Sequence, residues 1–190
     1  MVDGVRLDRD FYDRDTVELA KRLLGKVLVV KNDAVKRVRV VEVEAYVKND
    51  RANHAYKGMT KRNKSMFGPP GTLYVYMVHT HNCMNVVRGG GEAVLVRSAE
   101  PLAGVEARTD GPGRLCRALG IDRSYDGLDL CVSDKVWVED DGYVFDKIAV
   151  SRRIGVTASV NRLLRFYVAD SPWVSRKNSP PARVFEKPPS

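Results

Sequence analysis

Glu42 and Glu44 stand two residues apart in the valine-rich run Val35 to Tyr46. On an extended strand, side chains at i and i+2 share a face with Cα atoms roughly 6.5 Å apart, a spacing that suits a carboxylate pair acting on a glycosidic bond. Ordinary surface or ion-paired glutamates also fall at this spacing, and both readings stay open. The histidines are His54, His79 and His81. His79-Thr80-His81 would set two imidazoles on one strand face, but no third ligand stands at a recognised spacing, so no metal is expected. Tyr46, Tyr56, Tyr74 and Tyr76 gather around the glutamates, His54 and a basic segment. Rings beside positive charge suit unstacked nucleobases, although alternating tyrosines also serve sheet packing.

Charge points to a polyanionic partner. Thirty-two Lys and Arg against 24 Asp and Glu give +8 and a pI near 9.5. Between Lys48 and Lys64 six bases face one acid, and Ser151 to Ser190 carries eight bases against two acids, whereas Ile121 to Val150 carries eight acids against three bases. A basic face and an acidic face are expected, the basic one tracking phosphates or simply solvated. Three cysteines without CxxC spacing argue against a disulfide framework or zinc ribbon and for a reducing, intracellular setting. No stretch approaches eighteen apolar residues, so neither secretion nor membrane spanning is expected.

The elements that must hold these residues are legible from pattern. Asp15 is a helix N-cap three residues before Glu18; Val17, Ala20, Leu23 and Leu24 recur at helical spacing until Gly25. Lys26 to Lys31 and Val35 to Tyr46 read as strands, the second with Val38, Val40, Glu42 and Glu44 on one face. After the turn Gly68-Pro69-Pro70-Gly71, Leu73 to Val78 and Asn82 to Val87 form a hairpin, and Gly89-Gly90-Gly91 leads to a strand at Ala93 to Arg97. Helical patterns at Pro101 to Arg108 and Arg114 to Leu119 precede strands near Lys135 to Val138, Val144 to Val150 and Arg165 to Val168. Residues 177–190 are Pro-rich and expected to be loosely ordered. With no repeat, no linker and no strict βαβ alternation, the expectation is one α+β domain over residues 1–190, with a mixed, mostly antiparallel sheet, a protruding β-hairpin and short helices.

The order of the pieces says more than any one of them. Val43-Glu44-Ala45-Tyr46, Asn53-His54, Met66-Phe67, Pro70-Gly71-Thr72-Leu73-Tyr74-Val75-Tyr76, Cys83-Met84-Asn85-Val86 and Val94 to Pro101 closely resemble the alkyladenine (3-methyladenine) DNA glycosylase family. Gly111 to Leu119, Arg153-Ile154-Gly155, Leu164 to Val168 and Ser171-Pro172-Trp173-Val174-Ser175 continue the likeness, which spans roughly Val17 to Ser175. The resemblance implies a fold shaped like the C-terminal domain of methionyl-tRNA formyltransferases. It also implies an enzyme that flips alkylated or deaminated purines out of double-stranded DNA and cuts the N-glycosidic bond without a cofactor or strand cleavage, acting as a monomer.

By the same resemblance, Glu44 is the general base, Arg97 and the Ile154 carbonyl hold its water, and Tyr46, His54 and Tyr76 stack the base. Asn85 crowds the amino group of guanine, and His79 takes the place of the intercalating wedge. His79-Thr80-His81 departs from the family's usual Tyr-Gly-Met, which puts a smaller, titratable ring at the wedge. Arg51, Lys57, Lys61, Arg62 and Lys64 are candidates for phosphate contacts. Two rival readings are a non-catalytic nucleic-acid-binding module and a sugar hydrolase using Glu42 with Glu44.

Overall fold

The computed structural model describes residues 4–175 and 180–187. In chain order the elements are β1 (Val5–Arg6), α1 (Arg9–Tyr12), α2 (Thr16–Leu23), β2 (Val27–Lys31), β3 (Val35–Tyr46), β4 (Leu73–Val78), β5 (His81–Gly89), β6 (Glu92–Ala103), α3 (Pro112–Leu119), β7 (Val136–Asp140), β8 (Lys147–Ser151), β9 (Arg165–Val168) and β10 (Arg183–Glu186). The strands form one sheet ordered β1-β7-β2-β3-β6-β5-β4, with β9, β8 and β10 branching from β3. Every ladder between named strands is antiparallel, and the helices are few and short, as an α+β reading requires.

Local chemistry explains the helices. The Asp15 carboxylate caps α2, accepting from the Val17 and Glu18 N–H groups at 2.9 and 3.1 Å. Leu19, Ala20 and Leu23 then face the core, where Leu115, Cys116 and Leu119 of α3 also lie. Gly120 ends α3 at φ 72°, a left-handed conformation that glycine adopts without steric penalty. Each such leucine buried contributes about 1.5–3 kcal/mol.

Alternation along β3 breaks at its centre. Val40 faces Ala99, Glu42 faces Ser98 and Val43 faces Val96, so Val41 on β3 and Arg97 on β6 are extra residues in the ladder. Val38 and Val40 point into the main core, and beyond the bulge Val43 and Ala45 do, while Val41 joins a second cluster with Ala149, Tyr167 and Val174. The period-two expectation that Glu42 and Glu44 share a face with Val38 and Val40 is therefore corrected: the bulge reverses the parity. At the same point β3 changes neighbours. Residues Val35 to Arg39 pair with β2, and Glu42 to Glu44 pair with β9. The sheet forks where the two glutamates sit.

Three further expectations are corrected. Pro101 to Arg108 is not a helix: β6 continues through Ala103 because β3 offers it partners as far as Arg37, and Pro101 is tolerated beside a register shift, beyond the end of its pairing with β5 at Leu95. His79 and His81 do not share a strand face, since His79-Thr80 is the two-residue turn of the β4–β5 hairpin and His81 opens β5 opposite Val78. Within the stretch expected to be loose, β10 is a paired strand on the edge of β8, where Phe185 packs against the core and receives the Lys21 ammonium at 5.6 Å. Of that stretch, residues 177–179 and 188–190 lie outside the described residues.

Candidate active site

Glu44 has no exposed surface, yet each group that touches it lines a cleft of about 1150 Å³. Its Oε1 accepts the Ile154 N–H at 2.7 Å and lies 3.3 Å from Arg97 Nη1; its Oε2 accepts the Tyr46 hydroxyl at 3.0 Å. A carboxylate offers about four acceptor positions, so these donors leave one on Oε2 for a non-protein partner. Burial pushes the Glu44 carboxyl up, and Arg97, the Ile154 N–H and the Tyr46 hydroxyl reverse only part of that, so its pKa stays above the ordinary glutamate value. The Ile154 N–H holds Glu44 itself, a contact distinct from the carbonyl-to-water one that the resemblance implies.

Glu42 is equally buried and differently occupied. Oε1 accepts from Arg97 Nε at 3.1 Å, Arg165 Nε at 2.6 Å and Ser175 Oγ at 2.8 Å; Oε2 accepts from Ser98 Oγ at 2.9 Å and the Ser175 N–H at 2.7 Å. Burial would raise its pKa, but the Arg165 and Arg97 guanidiniums outweigh burial and hold it below the usual range. All its acceptor positions are taken by protein donors, which removes the geometric basis for a Glu42–Glu44 pair acting on a sugar. Ser175 came from a segment quoted only for its resemblance and Arg165 from an expected strand; the fold gives both this anion to hold.

The expected stacking rings meet on the cleft wall. His54 stands edge-on to Tyr76 with centroids 4.4 Å apart, and Tyr76 stacks on Tyr74 at 5.3 Å. His54 Nδ1 and the Tyr74 hydroxyl are 3.1 Å apart. Partial desolvation, with a smaller push from Arg62, lowers the His54 pKa. Asn85 is buried beside them, its Nδ2 donating to the Tyr74 carbonyl at 3.1 Å. Tyr56 is 47% exposed and does not line the cleft.

The loop after β3 is basic yet tightly folded. Asn53 donates to the Val47 and Gly91 carbonyls, both at 3.0 Å, and Asn63 to the His54 and Gly58 carbonyls at 3.0 and 3.1 Å. Arg51, Lys57, Lys61, Arg62 and Lys64 are exposed, and none makes an ion pair with a described residue. Many acids of the Ile121 to Val150 stretch are by contrast consumed internally: Glu139 by Arg37, Asp140 by Lys26 and Asp141 by Arg39. His79 sits at the hairpin tip on the cleft rim with φ 52°, flanked by exposed Met77 and Val78.

Sequence reasoning missed the opposite rim. Arg108, Arg114 and Arg117 line the cleft from the α3 side, with Arg117 Nη2 3.4 Å from His81 Nδ1. The i, i+3 spacing of Arg114 and Arg117 after the Pro112 helix start was the available signal. Among the described residues no group of three His, Cys, Asp or Glu side chains is placed to hold a metal ion.

Comparison with known proteins shows the family. The profile of the family described as methylpurine-DNA glycosylase (MPG) matches residues 10–172. A protein of Methanocella arvoryzae is 44% identical over 90% of this chain and 96% of its own length, and one of Legionella pneumophila strain Corby is 44% identical over 90% and 98%. A third, from Anaeromyxobacter dehalogenans, is 47% identical over 90% of this chain and 86% of its own length; all three are provisionally named 3-methyladenine DNA glycosylase. A family match over residues 10–172, with relatives 44% identical over 90% of the chain, places the chain in the methylpurine-DNA glycosylase family.

Proposed function

We propose that the chain is a monofunctional base-excision glycosylase that removes alkylated or deaminated purines from duplex DNA. The observation that carries this reading is a fully buried carboxylate, Glu44, fixed by Tyr46, Arg97 and the Ile154 N–H directly behind a wall of aromatic rings, in a cleft with basic residues on both rims. The free position on Oε2 takes a water, which Glu44 deprotonates as it attacks the sugar C1′. The departing base is already cationic when alkylated, so a general acid is in less demand, and the same carboxylate stabilises the oxocarbenium-like sugar. Tyr46, His54 and Tyr76 clasp the flipped base, Asn85 excludes the exocyclic amino group of guanine, and His79 fills the space left in the duplex. Arg51, Lys57, Lys61, Arg62 and Lys64 grip phosphates without reading sequence. The product is an abasic site. The protein acts as a monomer on genomic DNA inside the cell; among the described residues no helix is long and apolar enough to cross a membrane.

Duplex oligonucleotides bearing one defined lesion each, followed by alkali cleavage at abasic sites, test the reading. Free purine must be released, and Glu44→Gln must bind the lesion duplex while losing excision by roughly a hundredfold or more. Release of free sugar would favour the sugar hydrolase, and binding without release the non-catalytic module.

A further inference from the structure

Behind Tyr46, away from the cleft, lies a buried ion pair with no part in the chemistry above. The Arg153 side chain has no exposed surface; its Cζ lies 4.7 Å from the centroid of the Tyr46 ring, and its Nη1 donates to the Ala45 carbonyl at 3.1 Å. The same Nη1 is 2.6 Å from Oδ2 of Asp50, whose side chain is also fully buried. Arg153 Nε and Nη2 are buried without a hydrogen-bond partner among the described residues, so the guanidinium rests on the π face of Tyr46 instead. Arg162, about half exposed, reaches Asp50 only at 3.6 Å, where solvent screens it. Burial pushes the Asp50 carboxyl up, but Arg153 and the Ala52 N–H outweigh it, and Asp50 is ionised.

Tyr46 lines the cleft and Arg153 does not, so a stacked base and the guanidinium take opposite faces of one ring. An uncompensated cation there would occupy the ring's negative quadrupole and repel a second cation across it, in a site where water screens little. A neutral base would feel neither effect. Asp50 cancels most of that field at its source. We infer that Asp50, acting through Arg153, sets this enzyme's selectivity by lesion charge: it is the counter-ion that lets Tyr46 accept a cationic purine as readily as a neutral one. This rests on the glycosylase reading and refines it, assigning a specificity-determining position that touches no substrate.

The test compares single-turnover excision of 3-methyladenine, which is cationic and lacks the guanine 2-amino group, with that of ethenoadenine, which is neutral, from otherwise identical duplexes. Asp50→Asn should lower the ratio of the two rates by about fivefold or more, because the cation behind the ring is then bare. Asp50→Asn combined with Arg153→Gln removes both charges and should return the ratio to within roughly twofold of wild type, or above it. Equal losses on both lesions in Asp50→Asn would mean a merely structural role and overturn the inference. If Asp50→Asn does not fold, the double variant decides alone, since a fall in its ratio overturns the inference equally. Wild type that releases no alkylated or deaminated purine from any lesion duplex would remove the glycosylase reading itself; wild type that releases both bases, with a ratio insensitive to Asp50, removes this inference only.

Discussion

Two glutamates on one strand, two residues apart and both without exposed surface, have opposite fates. The Glu42 end is closed: five donors from β6, β9 and the segment after it converge on one carboxylate, and two guanidiniums hold it ionised. The Glu44 end has three donors, a single guanidinium at 3.3 Å, and a cleft on the far side of each donor. The chain thus puts stability and reactivity side by side. A saturated carboxylate anchors the fork of the sheet and holds Arg97 by its Nε, which leaves the Arg97 Nη1 turned toward Glu44. An undersaturated, desolvated carboxylate is more basic and has an acceptor position to use. Burial alone distinguishes nothing; the count of donors does.

The largest expected effect is on the closed end. Glu42→Gln strips the counter-charge from Arg165 and Arg97 and sets an amide N–H against donors, so it should cost about 3–5 kcal/mol in unfolding free energy, read by denaturant titration. The sign of its pH dependence follows from its lowered pKa. Glu42's contribution is present above the ordinary glutamate pKa and lost as pH falls through the depressed one.

Glu44→Gln, the next largest, should reduce excision by about a hundredfold, ~2.7 kcal/mol of barrier, without destabilising the fold. Because the pKa of Glu44 is raised by burial, its ionised form opposes folding, and that penalty grows as pH rises through the raised pKa. The variant's melting temperature at neutral pH should equal or exceed wild type. A marked drop would mean that Glu44, like Glu42, is structural.

A pH profile of single-turnover excision sharpens the contrast. A general base at Glu44 acts only when ionised, so on the proposed reading the acid limb should fall at a pH above the ordinary glutamate value. His54, whose pKa burial lowers, should add no limb of its own near neutrality. Profiles of wild type and Glu44→Asp, set against each other, would check that the limb belongs to this position.

The smallest effect is expected farthest from both carboxylates. His79→Ala at the hairpin tip should weaken lesion-specific binding by about tenfold or less, and His79→Tyr should preserve or raise it by adding stacking surface. Fluorescence of 2-aminopurine beside the lesion reports the flipping. An unchanged signal in His79→Ala would move the wedge to another residue, His81 first, with exposed Val78 on the same rim.

How far the sequence could be read follows from what acts locally. The α2 cap at Asp15, the strand from Val35 to Tyr46, the hairpin from Leu73 and the end of α3 at Leu119 depend on residues a few positions apart, and they were legible. The order of motifs around Glu44, Tyr46, His54, Tyr76 and Asn85 carried the family. The Pro101 to Arg108 segment misled because its composition suits a helix, while the partner that makes part of it a strand, β3, lies more than sixty positions away.

The sequence by itself determined the family, most elements, the basic loop and the rings and carboxylate of the candidate site, because each rests on residue type and near-neighbour spacing. Only the tertiary structure decided which glutamate is occupied, since the donors that fill Glu42 stand up to 133 positions away in the chain, at Ser175. It alone decided the parity of β3, which a bulge reverses in step with one on β6, and the placing of the Asp50–Arg153 pair behind Tyr46. Register and long-range ion pairing are properties of two segments meeting, and neither segment encodes them alone.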